Sequence, residues 1–186
     1  MAKLVVTEFV TLDGVIEDPG GAEGLDRGGW AFQFERGPEG DQFKLDETLA
    51  SSALLLGRVT YEGFAAAWPS REGEFADKFN TMPKYVVSST LVDPEWNNSH
   101  VLRGDVEDEV ANLKQAEDGD VVVHGSARLV QALVDAGLVD ELRLMVFPVV
   151  LGAGKRLFRD GQERSAFRLV DTKPAGDVVI LTFAPR

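Results

Sequence analysis

The chain has 186 residues, of which 44% are hydrophobic and 27% charged, and this composition predicts one globular domain spanning residues 1–186. It has no cysteine, which excludes disulfides, thiolate metal sites and a thiol nucleophile. A net charge of -12 would repel nucleic acid and anionic membrane surfaces, so neither is an expected partner. Residues 1–10 are too short and too charged for a signal peptide or membrane span, and we expect a cytoplasmic protein.

Apolar segments alternate with amphipathic ones along the first 150 residues. The predicted strands have short apolar runs and lie at residues 3–10, 53–57, 84–88, 121–124 and 141–149. The predicted helices have apolar residues at helical spacing and lie at residues 41–50, 60–67, 72–81, 106–116 and 127–136. This βαβα order predicts a largely parallel sheet with helices on both faces.

The C-terminal part follows a different pattern. Strand-like segments at 166–173 and 178–184 are separated only by residues 174–177, which predicts an antiparallel hairpin. The expected fold class is therefore α/β, a three-layer α/β/α sandwich with a mostly parallel central sheet and an antiparallel C-terminal hairpin. The Gly-rich segment 17–40 is long for a connection in a compact domain and is a candidate lid.

Two strand-to-helix junctions are candidate phosphate sites. At the first, Gly57 lets the backbone approach a ligand, and free amides at the helix start suit a phosphate; an ordinary strand-to-helix junction capped by Thr60 is the alternative. At the second, the small residues 125–128 leave backbone amides uncovered beside Arg128, at the strand end where α/β sheets bind ligands. A tight turn capped by Ser126 is the alternative there.

Other polar residues are weaker candidates. Ser88 and Ser89 follow a predicted strand, and their hydroxyls either bind a phosphate or begin a loop. His124 follows a valine run and is expected to be packed and hydrogen-bonded, and its wide separation from His100 gives no metal signature, so no metal is predicted. Asp13 is expected to form a turn with the glycine that follows it.

Several of these segments together resemble the dihydrofolate-reductase-like superfamily. The branch concerned is bacterial and is related to the C-terminal reductase domain of the bifunctional riboflavin-biosynthesis deaminase-reductase. The segments that carry the resemblance are TLDGVI (11–16), GRVTYE (57–62), VSS (87–89), GSARL (125–129), AGLVDEL (136–142) and FPVVLGAG (147–154).

This resemblance implies a cofactor site and a substrate site. It implies that NADPH is held by the following residues: Gly57, Arg58, Thr60, Ser88, Ser89, Gly125, Ser126, Ala127, Arg128 and Leu129. Asp41 is the implied carboxylate of the substrate site, with Asp13 as the second catalytic candidate. The threonine that supports the pterin-binding carboxylate in true dihydrofolate reductases is Met145 here, a departure from the pattern for folate.

The resemblance implies an NADPH-dependent reductase of a small heterocycle, with reduction of the ribosylaminopyrimidine intermediate of riboflavin biosynthesis as the leading activity. Dihydrofolate reduction and an NADP-binding module without turnover are the alternatives. The expected partners are a small-molecule substrate and a second copy of the chain, since the family suggests a homodimer that the apolar segment 144–151 could form.

Overall fold

The computed structural model describes the whole chain, residues 1–186, and contains one eight-stranded mixed sheet. The strands are β1 (Leu4–Thr11), β2 (Ser51–Gly57), β3 (Lys84–Val87), β4 (Ser99–Leu102), β5 (Asp120–Val123), β6 (Glu141–Phe147), β7 (Phe167–Ala175) and β8 (Val178–Pro185). The helices are α1 (Gly37–Ala50), α2 (Arg58–Ala67), α3 (Glu74–Thr81), α4 (Val106–Ala116) and α5 (Ala127–Asp135), and a 3₁₀-helix spans Trp30–Gln33. None of these helices is long and apolar enough to cross a membrane.

The strand order is β4-β3-β2-β5-β1-β6-β8-β7. Neighbouring strands from β4 to β6 are parallel, whereas β6 with β8 and β8 with β7 are antiparallel. The predicted α/β class, with a mostly parallel sheet and an antiparallel C-terminal hairpin, is therefore confirmed.

Alternation along the central strands places apolar side chains on both faces of the sheet. Val121 and Val123 of β5 belong to a cluster that includes Leu133 of α5, whereas Val122 between them packs in a cluster with Phe79 of α3. Because successive side chains of a strand point to opposite faces, a strand covered by helices on both sides needs an unbroken apolar run. The three consecutive valines satisfy that requirement.

Three elements differ from the sequence-based expectation. The edge strand β4 was not predicted, because its four residues include a serine and a histidine and lack an apolar run. Helix α1 begins at Gly37 rather than at Asp41, with Pro38 in its first turn. Proline fits there because the first N–H groups of a helix have no acceptor within it, so the N–H that proline lacks is not needed. Strand β7 continues through Pro174, which an edge strand tolerates because one of its sides makes no ladder bonds.

Lys84, at the start of β3, is fully buried. Its Nζ donates hydrogen bonds to the carbonyl oxygens of Met82 at 2.8 Å and Asn97 at 2.9 Å, and it lies 4.4 Å from the centre of the Trp96 ring. Burial lowers the pKa of the Lys84 ammonium group to about 8.

We expect the free energy of unfolding to rise between pH 8 and pH 10. Below pH 8 the lysine is charged in both states, and only the folded state bears the cost of burying that charge. As the pH rises above 8, Lys84 loses its ammonium proton in the folded state before it does in the unfolded state. The free energy of unfolding therefore rises by up to about 3 kcal/mol. Urea unfolding at pH 7.5, 9 and 10 measures the effect, and Lys84→Met should remove it; an equal rise in that variant would contradict the assignment.

Candidate functional site

Two strand-to-helix turns meet at the carboxyl edge of the sheet. β2 ends at Gly57, and α2 begins at the next residue. β5 ends at Val123, and three residues separate it from Ala127, where α5 begins. The Gly57 N–H donates a hydrogen bond to the Gly125 carbonyl oxygen at 3.0 Å. A Cβ atom at position 57 would overlap Ser126 Oγ and lie 3.0 Å from the Ser126 backbone nitrogen. The two turns are therefore in direct contact, and this contact leaves space only for glycine at position 57.

Both helices at this contact begin without a side-chain cap. Gly57 and Ser126 occupy the capping positions of α2 and α5, and no side chain accepts a hydrogen bond from the first amides of either helix. The alternatives in which Thr60 or Ser126 caps its helix are therefore wrong. Because the first amides of a helix have no acceptor within it, two sets of N–H groups stay available beside each other, at the positive ends of two helix dipoles. This arrangement suits the phosphate groups of an anionic ligand.

The two arginines at these helix starts differ in their contacts. Arg58 Nη1 donates to both carboxylate oxygens of Glu62 at 2.9 Å, so the Arg58 charge is paired one turn along α2. Arg128 is exposed and makes no side-chain hydrogen bond or ion pair. Arg128 is therefore the arginine whose charge is free for an anion at these turns.

The end of β3 forms a third part of the site. Ser88 Oγ accepts hydrogen bonds from the backbone N–H groups of Thr90 at 3.2 Å and Leu91 at 3.0 Å, so this hydroxyl closes a turn. Arg103 follows β4, and its guanidinium donates to the carbonyl oxygens of Ser89 at 3.3 Å and Leu91 at 2.6 Å. Arg103 could not be identified from the sequence, because β4, the strand that places this arginine beside the end of β3, was not predicted.

A gap opens in the sheet beside β1. β5 pairs with β1 only up to the pair Val6 and Val123, whereas β6 follows β1 as far as Thr11. The edge of β1 that faces β5 therefore has no strand partner beyond Val6. Glu8, in this unpaired part of β1, lies close to Gly125, since a Cβ atom on Gly125 would be 3.6 Å from Glu8 Oε1. This gap adjoins the two uncapped helix starts.

Glu8 itself is an unusual feature of the gap. The residue is 9% exposed, and its Oε1 is buried with no hydrogen-bond partner. Burial raises the pKa of the Glu8 carboxyl well above its ordinary value, Lys44 opposes the shift, and the charges of Glu23 and Glu47 add to it. Glu8 could not be identified from the sequence, because a single acidic residue in a strand pattern does not show that its side chain is buried.

A buried polar cluster ties α1 to the sheet on the other side of β1. Lys44 Nζ donates to Thr7 Oγ1 at 2.9 Å and pairs with Glu47 Oε2 at 2.5 Å, while Arg143 Nη1 donates to Glu47 Oε1 at 3.2 Å. Burial opposes ionisation of Glu47, but its bonds to the charged Lys44 and Arg143 hold the pKa of its carboxyl below the ordinary value. Glu47 is therefore a buried carboxylate that neighbouring cations stabilise.

His124 joins this cluster to the aromatic core. Its ring packs 5.9 Å from the ring of Phe64 and 5.4 Å from that of Phe79, and it makes no hydrogen bond. Burial, together with the charge of Lys44, lowers the pKa of His124 to about 3 against the opposing effect of Glu47. The expected packing is confirmed, whereas the expected hydrogen bond is absent, and the imidazole is neutral at physiological pH.

The structure does not place Asp41 in the site. Its side chain is 66% exposed and accepts a hydrogen bond from Arg36 Nε at 2.5 Å. With about 100° between successive helical residues, the face of α1 that contains Gly40, Lys44 and Glu47 turns inward and leaves Asp41 outside. Lys44 and Glu47 are the charged residues that α1 brings to the sheet.

Asp13 likewise has contacts that explain it without catalysis. Its Oδ1 accepts from Thr11 Oγ1 at 2.6 Å and from the Leu151 N–H at 3.1 Å, and its Oδ2 accepts from the Gly152 N–H at 2.8 Å. The Thr11 hydroxyl and these backbone amides lower the pKa of the Asp13 carboxyl to about 2. The expected turn with Gly14 is confirmed, and the carboxylate joins the end of β1 to the segment after β6.

The Gly-rich segment is ordered by two acidic residues. The buried carboxylate of Asp18 accepts from the backbone N–H groups of Glu23 at 2.9 Å and Leu25 at 3.0 Å. Glu17 Oε2 accepts from the Lys155 N–H at 2.8 Å, which joins the segment to the chain after β6. The segment therefore has its own internal framework, and its role as a lid stays a prediction.

A separate cleft has acidic residues in its walls. It has a volume of about 460 Å³ and lies between α2 and residues 91–96, where Glu62, Asp93 and Glu95 contribute to its walls. Three carboxylates disfavour phosphate, so this cleft does not compete with the helix starts as a nucleotide site.

The chain is similar to several known proteins. The chain is 30% identical over 183 residues to the uncharacterized protein YwjB of Bacillus subtilis, covering 97% of both chains. It superimposes with a TM-score of 0.78 and 20% identity on a Shewanella sp. PV-4 protein named for riboflavin biosynthesis, covering 100% of this chain and 99% of that one.

A third similarity is to part of a longer enzyme. The deaminase/5-amino-6-(5-phosphoribosylamino)uracil reductase of Thermotoga maritima matches with a TM-score of 0.66 and 16% identity, and the chain covers 57% of it. The sequence model of the RibD C-terminal domain matches residues 2–181. The chain therefore belongs to the RibD C-terminal domain family.

Proposed function

We propose that this protein is an NADPH-dependent reductase that transfers hydride to a small heterocycle, with the ribosylaminopyrimidine of riboflavin biosynthesis as the leading substrate. The observation that carries the proposal is the contact between two uncapped helix starts beside an open gap in the sheet. Family membership supports a reductase, and the Thermotoga relative is named as a reductase of such a pyrimidine.

The residues present fit a phosphorylated dinucleotide. The amides at the starts of α2 and α5, with the unpaired guanidinium of Arg128, would hold the pyrophosphate. Ser89 and Arg103 would hold a 2′-phosphate at the end of β3, since a guanidinium binds phosphate oxygens in a bidentate manner. Gly57 supports the fit, because a side chain there would separate the two turns.

When bound, NADPH supplies the hydride, and the protein supplies binding and orientation. The gap beside β1 offers unpaired backbone groups to a planar ring. His124, which follows β5, is neutral and therefore places no positive charge there. The buried pair of Lys44 and Glu47 fixes α1 against β1, so this wall of the gap is held rigidly.

Two measurements test the proposal. NADPH should raise the melting temperature more than NADH does, and 5-amino-6-(5-phosphoribosylamino)uracil should then cause loss of NADPH absorbance. Oxidation of NADPH with dihydrofolate instead would favour the folate alternative. Stabilisation by NADPH without turnover on either substrate would favour the binding module, and stabilisation by neither nucleotide would overturn the proposal.

Arg103 gives a sharper test of cofactor choice. We expect Arg103→Met to weaken NADPH binding about tenfold and to leave NADH binding nearly unchanged, because one charged hydrogen-bonding partner of the 2′-phosphate is lost. Isothermal titration with both nucleotides measures the ratio. Arg164→Met, at an exposed arginine without contacts, is the control. Equal weakening of both nucleotides would contradict the role assigned to Arg103.

The homodimer stays a prediction. The segment proposed for it contains Val150, which is 67% exposed and follows β6. Light scattering of the purified protein, compared with Val150→Glu, would show whether this segment joins two copies.

A further inference from the structure

Glu8 has a carboxyl group that the rest of the protein leaves without a partner. The residue is 9% exposed, and Oε1 is buried and accepts no hydrogen bond. A buried polar group without a partner costs free energy, and a buried charge costs more, so such groups are usually paired. A ligand that pairs with Glu8 would account for the carboxyl at this position.

No basic residue neutralises Glu8. Lys44, the cation that most affects it, is already bonded to Glu47 and to the hydroxyl of Thr7. The other charges that affect Glu8 are the carboxylates of Glu23 and Glu47, which repel a negative charge. The surroundings therefore favour the neutral, protonated carboxyl, and a protonated carboxyl has one O–H donor and one carbonyl acceptor in a single plane.

The position of Glu8 indicates which part of a ligand it meets. Glu8 Oε1 would lie 3.6 Å from a Cβ on Gly125, in the turn that leads into α5, and Thr60 Oγ1 would lie 3.0 Å from the same atom. In a dinucleotide held at this turn by its phosphates, the nicotinamide ring follows one ribose later, and the gap beside β1 is the space next to the turn. The charged residues of α1 lie on the opposite face of β1, as their contacts with Thr7 show.

We propose that the Glu8 carboxyl binds the carboxamide group of the nicotinamide ring and selects cofactors that have it. A primary carboxamide has an N–H donor and a carbonyl acceptor in one plane, which match the two groups of a protonated carboxyl. This inference rests on the proposed function, because it requires the dinucleotide to occupy the site.

Titration calorimetry of two Glu8 variants with two nucleotides tests whether Glu8 binds the carboxamide. The nucleotides are NADP⁺ and its nicotinic-acid analogue, which has a carboxylate in place of the carboxamide. Wild type should bind NADP⁺ at least about tenfold more tightly than the analogue, because the carboxylate offers no donor to Glu8. Glu8→Leu should weaken NADP⁺ binding and reduce this ratio to about threefold or less. Glu8→Gln should keep both NADP⁺ binding and the wild-type ratio, because the glutamine amide offers a donor and an acceptor as the protonated carboxyl does.

The melting temperature of the ligand-free variants gives a second readout. Because the pKa of Glu8 is raised in the folded state, the buried carboxyl lowers stability as the pH rises through that pKa. Glu8→Gln should therefore melt at a higher temperature than wild type near neutral pH. Thr48→Val is the matched control, since it removes another buried oxygen without a partner, away from the gap, and should leave the nucleotide ratio unchanged.

The outcomes separate the two proposals. If wild type binds neither nucleotide, the proposed function fails and this inference fails with it. If wild type binds NADP⁺ and Glu8→Leu shows the same ratio between the two nucleotides, only the role of Glu8 is overturned. A fall in the ratio in Glu8→Leu, with the wild-type ratio kept in Glu8→Gln, supports the role of Glu8.

Discussion

Gly57→Ala is expected to weaken NADPH binding by more than about tenfold and to lower the free energy of unfolding by about 1–3 kcal/mol. The added Cβ would overlap Ser126 Oγ and lie 3.0 Å from both the Cβ and the backbone nitrogen of Ser126. The hydroxyl can rotate away, but the backbone nitrogen cannot, so the two turns must separate. Their amides would then no longer face one phosphate group together. Titration with NADPH and urea unfolding measure the two effects.

Gly63→Ala is the matched control. Gly63 lies in the same helix as the residues that follow Gly57, and a Cβ there has no heavy atom within 4 Å. Alanine is favoured over glycine inside a helix by about 0.5–1 kcal/mol, so this variant should be slightly more stable and should bind NADPH normally. Normal binding by Gly57→Ala as well would show that contact between the turns is not needed for the nucleotide.

Glu47→Leu is expected to lower the free energy of unfolding by about 3–5 kcal/mol. Glu47 is buried, and its carboxylate is the only acidic partner of Lys44, itself 7% exposed. Arg143 keeps a second partner, since its Nε donates to Glu141 at 2.6 Å. The variant therefore leaves one buried ammonium group without a counter-charge, and urea unfolding at neutral pH measures the loss.

The double variant Lys44→Met/Glu47→Leu separates this cause from a loss of packing. Apolar residues of similar volume often replace a buried ion pair at little cost, so the double variant should regain most of the lost stability. If it is as unstable as Glu47→Leu, the loss comes from packing of the leucine rather than from the unpaired lysine.

Local sequence patterns were sufficient to predict much of the fold. The valine run of β5 and the glycine at the end of β2 each define a strand and the turn after it, and the structure places both turns at one edge of the sheet. Contacts between residues far apart in sequence were not predictable. Arg103 reaches the site only through β4, and the burial of Glu8 depends on where β5 stops pairing with β1.

The two acidic residues chosen from the sequence show the same limit. Asp41 was chosen because the family resemblance implies a carboxylate on the first helix, and Asp13 was the second candidate, but the chain uses both for structural hydrogen bonds. The buried charged residues Lys44 and Glu47 stand among other charged and polar residues in the sequence of α1, where nothing marks them as buried. Only the packing of α1 on β1 distinguishes their environment.

The short pairing between β5 and β1 divides the sheet into two blocks of four strands, joined along a seam of three residue pairs from Leu4 to Val6. Each block supplies its own wall of the gap. A molecule seated there would contact both blocks at once and act as a bridge across the weakest part of the sheet. If a ligand binds in the gap, we therefore expect its binding to stabilise the joint between the two blocks.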